Sequence, residues 1–299
     1  MSKSKYAASI IAAGCLWGFM GLFRRGMAAI GVSTEGIILL RCGVAALLFL
    51  ATQLVRDPKL MKIRLRDVWC FIGTGLVSLV FFSVCYYSAM NLMSLSAAAI
   101  LLYTAPSFVV LISLVVFKEK LTRMKLLALV MAFGGCCLVC GIGSSDTHLT
   151  AAGILYGLGS GIGYALYSIF GKLAMERGYD SCTVNLYTTL FACLCVALVW
   201  GVKAPVRVMF ASWTNFGICI AAGVVTCYLP YLLYTYGLSG MEAGKASIMA
   251  SVEPVVATFV GMIFFREKLT ALSAAGVLLV LGAVVLLNVK LPEKQKIPA

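Results

Sequence analysis

The sequence predicts an all-α polytopic membrane protein, with ten transmembrane helices arranged as two inverted five-helix repeats. Composition, the number of apolar stretches and an internal repeat lead to this fold class. Of the 299 residues, 62% are hydrophobic and only 12% are charged, and the mean hydropathy is +1.02. Because a soluble chain of this composition could not cover its surface with polar groups, lipid must be its main solvent.

Ten apolar stretches are long enough to cross a bilayer, which takes roughly 20 residues in a helix. In chain order they are 6–23, 36–55, 68–89, 94–117, 124–143, 151–174, 181–201, 213–238, 242–265 and 271–289. The connections between them are too short for a separate soluble domain. The natural seam lies near 144–150, so we expect a first five-helix repeat over 1–147 and a second over 148–299.

The internal repeat is clearest between residues 86–122 and 234–270. These segments align without a gap at a constant offset of 148, and ten of the 37 positions are identical. Each copy ends in a charged hairpin, Phe-Lys-Glu-Lys-Leu-Thr at 117–122 and Phe-Arg-Glu-Lys-Leu-Thr at 265–270. Because five spans per half is an odd number, the second half enters the membrane in the opposite sense, and the repeats are inverted.

The distribution of lysine and arginine predicts the orientation. With the N-terminus in the cytoplasm, 17 of the 24 basic residues lie inside, six lie outside and Arg41 lies within a span. Positive charge concentrates on the cytoplasmic side, so we expect both termini there, in a multi-pass protein of the cell membrane. The net charge of +13 then follows from topology, and no soluble patch remains to hold a nucleic acid.

Cysteine and histidine give no sign of a metal, a cofactor or catalysis. Eleven of the twelve cysteines lie well within spans, where a small apolar filler is the usual role, and only Cys182, at the start of span seven, lies near a loop. Cys137 and Cys140 have the spacing of metal ligands, but no histidine or carboxylate lies nearby. The only histidine, His148, follows span five, and no paired acids or Ser/His/Asp arrangement appears. We therefore expect neither a metal site nor an enzyme.

Glycines recur at four-residue spacing in two spans. Gly153, Gly157 and Gly161 lie in span six, and Gly14 and Gly18 lie in span one. Small residues at this spacing let membrane helices approach closely. Neither series follows a strand, as a nucleotide-binding loop would require.

Two charged residues are predicted at membrane depth, where ionisable groups are costly and usually functional. Arg41 lies in span two and Glu253 in span nine, directly before Pro254. That proline removes one helical hydrogen bond and opens the backbone locally. The aligned pair Ala105 and Pro106 keeps the proline without the acid. Glu253 and Arg41 are thus candidate coupling or counter-charge residues, Glu253 as a proton-coupling group or as the counter-charge of a cation, although structural caps or pairs, including a pair with each other, remain open.

Aromatic residues within spans predict the wall of a cavity. Tyr103 and Tyr164 lie mid-span, where a hydroxyl needs a partner, and Tyr228 and Tyr231 flank Pro230, a third predicted kink. The predicted substrate-binding residues are Trp17, Tyr103, Tyr164, Tyr167, Tyr228, Tyr231 and Glu253. Trp17 aligns with Tyr164 at an offset of 147, so the two residues could face each other across the pseudo-two-fold axis. Tyrosines near span ends are expected in interfacial belts instead; these are Tyr6, Tyr86, Tyr87, Tyr234 and Tyr236.

Together these features resemble the EamA-type branch of the drug/metabolite transporter superfamily, over essentially the entire chain. The resemblance rests on the Leu-Trp-Gly start at 16–18, on Arg41, on Pro106 and Pro254, and on the paired Glu-Lys-Leu hairpins. It implies a carrier whose central cavity is built chiefly by spans 1, 3, 4, 6, 8 and 9, with spans 5 and 10 in support. Members of that family move amino acids, nucleosides, sugars or other metabolites, often outward.

The expected function is secondary transport of a small polar organic solute by alternating access. Efflux of an amino acid or a related metabolite is the preferred version. Uptake of a quaternary ammonium such as choline is the alternative, because aromatic faces attract cations and Glu253 would supply the counter-charge. A structural membrane partner is the non-transport alternative. Expected partners are the solute and the lipid bilayer, with a proton as candidate coupling ion; a homodimer is left open.

Overall fold

The computed structural model describes residues 3–93, 95–140, 150–266 and 270–288, and within these ranges the chain is helical and contains no β-strand. The helices of the first half are α1 (Lys3–Gly18), α2 (Met20–Ala29), α3 (Thr34–Arg56), α4 (Val68–Ile72), α5 (Phe81–Leu92), α6 (Leu95–Leu102), α7 (Ala105–Val116) and α8 (Arg123–Val139). Those of the second half are α9 (Ala151–Glu176), α10 (Ser181–Trp200), α11 (Lys203–Met209), α12 (Trp213–Gly223), α13 (Leu229–Ser239), α14 (Ala243–Ala250), α15 (Glu253–Phe265) and α16 (Ala271–Asn288).

The described ranges contain nine helical stretches that are long and apolar enough to cross a membrane. The tenth predicted span, 124–143, corresponds to α8, which has 17 residues. Its expected end, from residue 141, lies outside the described residues, as do His148 and the Glu-Lys-Leu part of the second hairpin. The chain is therefore an all-α, multi-pass membrane protein built from two repeats.

Polar side chains satisfy the backbone at the start of several helices. At each such position the side-chain oxygen accepts a hydrogen bond from the N–H three residues later; the capping residues include Ser33, Thr122, Thr150, Asp180 and Ser212. The first N–H groups of a helix have no partner within the helix, and unmet groups are costly near lipid. These short polar residues thus fix where spans two, five, six, seven and eight begin.

Spans four and nine are each broken near the middle by a proline. α6 ends at Leu102 and α7 begins at Ala105, with Pro106 in its first turn. In the same way α14 ends at Ala250, and α15 begins at Glu253 with Pro254 in its first turn. Proline cannot donate a backbone hydrogen bond, so it is tolerated at a helix start but not inside one.

Spans three and eight contain a wider helical turn instead of a break. The π-helical turn Gly73–Val80 separates α4 from α5, and Val224–Tyr228 separates α12 from α13. Pro230 lies in the first turn of α13, directly after the second of these turns. Wider turns change the rotation per residue and are frequent at functional sites.

Glycines allow the closest helix contacts, as their spacing predicts. A Cβ atom on Gly18 would lie 2.5 Å from Cβ of Val256 in α15, and one on Gly161 would lie 3.0 Å from the Leu101 carbonyl oxygen in α6. The first contact joins span one to span nine, and the second joins span six to span four. Both contacts therefore connect the first repeat with the second.

The helix bundle has two ends. At one end Tyr6 of α1 packs on Tyr236 of α13, with ring centroids 5.3 Å apart, and Leu287 of α16 packs on α8. We call this end the terminal face, because α1 begins and α16 ends there. At the other end, the distal face, the Thr150 hydroxyl donates a hydrogen bond to the Leu92 carbonyl, 3.4 Å away.

Candidate functional site

A cavity of about 400 Å³ lies between the two repeats, in the distal half of the bundle. Its walls come from α1 and α2, α3, α5, α6, α9, α13 and α15, with the end of α8 at one side. The resemblance implied walls from spans 1, 3, 4, 6, 8 and 9. The structure adds span two, which contributes Arg41, and the end of span five, which contributes Cys140.

Glu253 enters the cavity because the helix break places it in the first turn of α15. The Tyr164 hydroxyl donates a hydrogen bond to its carboxylate, with 3.3 Å between the oxygens. The N-terminus of a helix carries a partial positive charge, which stabilises a carboxylate at this position. A hydroxyl from α9 and the start of α15 thus hold one acid at membrane depth.

Arg41 supplies a positive charge to the same cavity. One of its terminal nitrogens donates a hydrogen bond to the Thr226 carbonyl, 2.8 Å away, within the π-helical turn of span eight. Its Nε atom is buried and has no hydrogen-bond partner among the described residues. Arg41 and Glu253 are both described, and no ion pair within 4.0 Å joins them. The structure therefore does not contain the pair between these two residues that the sequence left open.

An aromatic layer forms the floor of the cavity on the side of the terminal face. The Trp17 ring lies 6.2 Å from the Tyr164 ring, 5.4 Å from Tyr231 and 5.3 Å from Tyr234, measured between centroids. Tyr234 in turn shares a 2.7 Å hydrogen bond with the Ser168 hydroxyl. Packed rings in these tilted and edge-on arrangements attract one another.

The structure brings most of the predicted site residues together. Trp17, Tyr103, Tyr164, Tyr231, Glu253 and Arg41 all line the cavity. Tyr167 lies one layer lower, beside a void of about 20 Å³, and its hydroxyl donates to the Asn185 side-chain oxygen at 2.6 Å. The predicted contact between Trp17 and Tyr164 is present.

Tyr228 does not reach the cavity, contrary to the sequence-based expectation. Its hydroxyl shares a 2.8 Å hydrogen bond with Thr52, and its ring packs on Phe49 at 4.6 Å. Tyr228 and Tyr231 would share one face of a regular α-helix. Tyr228 instead faces Phe49 and Thr52 of α3, whereas Tyr231 lines the cavity.

Sequence reasoning missed several cavity residues. Tyr86 and Tyr87 were expected in an interfacial belt, but both line the cavity. Arg24 also lines it, with its guanidinium carbon 5.7 Å from the centre of the Tyr87 ring. Phe82 stacks on Tyr86 at 5.9 Å, one helical turn away. The four-residue spacing of Phe82 and Tyr86 could have revealed this, because it places both rings on one face of the helix. Residues of an interfacial belt need not share a face. Tyr234, also assigned to a belt, is only 3% exposed.

An inverted-repeat helix bundle with a cavity between its halves is the architecture of secondary transporters. The family comparison agrees: residues 4–141 and 151–289 match the EamA-like transporter family, and the chain belongs to that family.

Related sequences carry transporter names. A transporter of Archaeoglobus fulgidus is 29% identical over 67% of this chain and 70% of its own length, and its function is uncharacterized. The uncharacterized transporter YwfM of Bacillus subtilis is 24% identical over 76% of each chain. The threonine/homoserine exporter RhtA of Escherichia coli is 25% identical over 67% of this chain and 63% of its own length.

A solved crystal structure shares the fold. It superposes with a TM-score of 0.80, covering 95% of this chain and 96% of the other, at 16% identity. At that identity the similarity concerns the helix arrangement alone.

Proposed function

We propose that this transporter exports amino acids or closely related zwitterionic metabolites by alternating access. The observation that carries the proposal is the pair of opposite charges in one cavity, Glu253 and Arg41, which are not paired with each other. A buried charge without a counter-charge is costly. A solute that brings one charge of each sign would compensate both residues at once.

Each charge has suitable surroundings for one end of such a solute. The Arg41 guanidinium lines the cavity and its Nε atom has no hydrogen-bond partner among the described residues, and guanidinium groups bind carboxylates through two parallel hydrogen bonds. Glu253 lies beside Tyr164, whose ring packs on Trp17. A carboxylate next to aromatic faces suits an ammonium group. The volume of about 400 Å³ lies near the lower end of the usual range for ligand sites, about 300–1,000 Å³.

The similarity to a threonine/homoserine exporter supports an amino-acid substrate. Transport itself would proceed by rocking of the two repeats about the cavity, which lies at their boundary. A proton is the candidate coupling ion, with Glu253 as the group that would gain and lose it.

Uptake of a quaternary ammonium is the second candidate, favoured by the aromatic walls near Glu253. The charge count opposes it. Among the described residues, Arg24 and Arg41 line the cavity against one acid, Glu253. A cation such as choline would compensate Glu253 but leave Arg41 without a counter-charge. A zwitterion would supply a counter-charge to both residues.

Counterflow in liposomes tests these assignments. Liposomes that contain the purified protein are loaded with one unlabelled solute, and the entry of the same solute in labelled form is measured. The solutes compared are threonine, threoninol, which lacks the carboxylate, and choline. We expect threonine to exchange and the other two solutes to exchange at least tenfold more slowly. Faster choline exchange would favour the second candidate. Exchange of none of a panel of amino acids would refute the proposal and favour a structural membrane partner.

Variants at the two charges separate binding from coupling. Arg41→Gln and Glu253→Gln should each weaken threonine binding and slow counterflow, since each removes the partner of one end of the solute. If Glu253→Gln keeps full counterflow but loses accumulation driven by a proton gradient, Glu253 couples transport without binding the ammonium group. Unchanged binding, counterflow and accumulation would show that Glu253 has neither role.

A further inference from the structure

The Glu119 carboxylate is buried at the terminal face, beneath the floor of the cavity. It belongs to the charged hairpin between α7 and α8 and reaches the start of α14 in the second repeat. One carboxylate oxygen accepts a hydrogen bond from the Ala243 N–H at 2.7 Å, and the other accepts one from the Gly244 N–H at 3.3 Å. The side chain is only 4% exposed.

Two lysines complete the surroundings of Glu119. The Lys172 ammonium of α9 lies 3.1 Å from one carboxylate oxygen, and the Lys125 ammonium of α8 lies 3.0 Å from the other. Lys125 also contacts Glu242 at 3.0 Å and is 1% exposed. Three of the four Glu119 contacts, those to α9 and the start of α14, join the first repeat to the second.

This group of charges is strongly stabilised while it remains intact. Desolvation raises the pKa of Glu119, but hydrogen bonds and positive charge from Lys125, followed by those from Lys172, outweigh it and hold the pKa below its usual range. The carboxylate is therefore ionised at neutral pH. Separating a buried ion pair without replacing its partners is unfavourable, so the two repeats resist separation at this end.

The charges lie close below the candidate binding site. α9 carries Tyr164 in the cavity wall, Ser168 in the floor and Lys172 beside Glu119. Eight residues separate the first from the last, which is about 12 Å along a helix at 1.5 Å per residue. α7, α9 and α14 pack against one another near Glu119, on the terminal side of the aromatic floor.

We propose that Glu119, with Lys125, Lys172 and the start of α14, forms a latch that keeps the terminal face closed and opens once in each transport cycle. The proposal rests on the proposed function, because only a carrier that works by alternating access needs this face to open. The latch is also specific to one half. At the offset of 148, Lys125 aligns with Ser273, so the second repeat has no counterpart of the buried lysine.

Hydrogen exchange of the purified full-length protein tests the latch without any solute. Glu119→Gln keeps the shape of the side chain and removes its charge. We expect amides in 113–125 and 239–250, at the terminal face, to exchange about tenfold faster or more, as the closed state loses population. Amides in 34–42 and 82–92, around the distal part of the cavity, should exchange more slowly, because opening one face closes the other.

Matched variants exclude a general loss of stability. Glu176→Gln makes the same chemical change on α9, at an exposed position with no hydrogen bond or ion pair among the described residues, and should behave like the wild-type protein. Lys172→Met removes one contact between the repeats and should produce the Glu119→Gln pattern more weakly. Faster exchange at both faces would show that Glu119 merely stabilises the fold, and unchanged exchange would show that no latch exists. Because no solute is involved, either result is independent of the counterflow assay.

Discussion

Glu253 shows how a single substitution adds a charge to a duplicated scaffold. Pro106 and Pro254 both lie in the first turn of the helix after a break, at aligned positions of the two repeats. The residue before the proline is Ala105 in one repeat and Glu253 in the other. The break creates a helix N-terminus in both halves, and the partial positive charge of that terminus stabilises a nearby carboxylate. Only the second repeat has an acid at this position.

The Tyr164 hydroxyl is the only hydrogen-bond donor to Glu253 among the described side chains, so Tyr164→Phe tests its contribution. The variant removes one hydrogen bond at 3.3 Å and leaves the ring in place. A hydrogen bond to a charged group contributes about 1.5 kcal/mol or more, so we expect roughly tenfold weaker amino-acid binding, measured by calorimetry. Tyr156→Phe is the matched control, because Tyr156 lies on the same helix α9 but is exposed, is not among the residues that line the cavity, and its hydroxyl has no hydrogen bond in the described part. Equal losses in both variants would contradict a specific role for Tyr164.

Sequence reasoning identified Glu253 and Arg41 because charges within apolar spans are rare. It did not predict that Lys125, one of the 17 basic residues assigned to the cytoplasmic side, is buried. Nothing in its local sequence distinguishes Lys125 from Arg123, and burial depends on Glu119 and α14. Tyr228 was misplaced for a related reason, since its direction depends on contacts with Thr52 and Phe49 of α3, which are distant in sequence.

At the scale of elements, α8 and α16 form a pair beside the cavity-lining helices, which agrees with the supporting position implied for spans five and ten. Their closest approach lies at Gly135 and Gly276. A Cβ atom on Gly135 would lie 2.7 Å from the Gly276 carbonyl oxygen, and one on Gly276 would lie 2.6 Å from the Gly135 carbonyl oxygen. Without side chains at these positions the two backbones approach closely, as membrane helices do at small residues.

Gly135→Ala should therefore separate α8 from α16 and destabilise the protein. Overpacking costs about 1–3 kcal/mol, and we expect the apparent melting temperature in detergent to fall by several degrees. Gly134→Ala is the matched control one residue away, where a Cβ atom would meet nothing within 4 Å outside its own helix. Alanine there should be neutral or stabilising, since it favours the helix. Equal melting temperatures for the two variants would refute this packing.

The breaks in spans four and nine could be predicted from sequence, because proline cannot donate the backbone hydrogen bond. The wider turns in spans three and eight could not. They contain glycine, threonine and serine among apolar residues but no proline, and in span eight the Thr226 carbonyl accepts a hydrogen bond from Arg41 in the other repeat. Sequence patterns thus predicted the positions of the spans well, but they predicted the directions of side chains within the spans less well.

At the scale of the whole molecule, duplication and charge bias account for most of the architecture. The offset of 148 and five spans per half predicted inverted repeats, and the family match covers both halves. The conformation could not be predicted in this way. Under the proposed alternating access, one sequence would adopt states open to either face, and the proposed latch at Glu119 would bias their relative populations.

Orientation in the membrane is the prediction that belongs to this scale. With 17 basic residues on one side and six on the other, the terminal face should lie in the cytoplasm, and the cavity should extend toward the outside. Thr122 and Thr270 are matched reporters, because both are exposed and each caps the helix that follows it in its own repeat. In intact cells, a membrane-impermeant maleimide should label Thr270→Cys. It should label Thr122→Cys only after permeabilisation, and the wild-type protein measures the background from the twelve native cysteines. Equal labelling of both variants from outside would contradict inverted repeats, and the reverse pattern would place the termini outside.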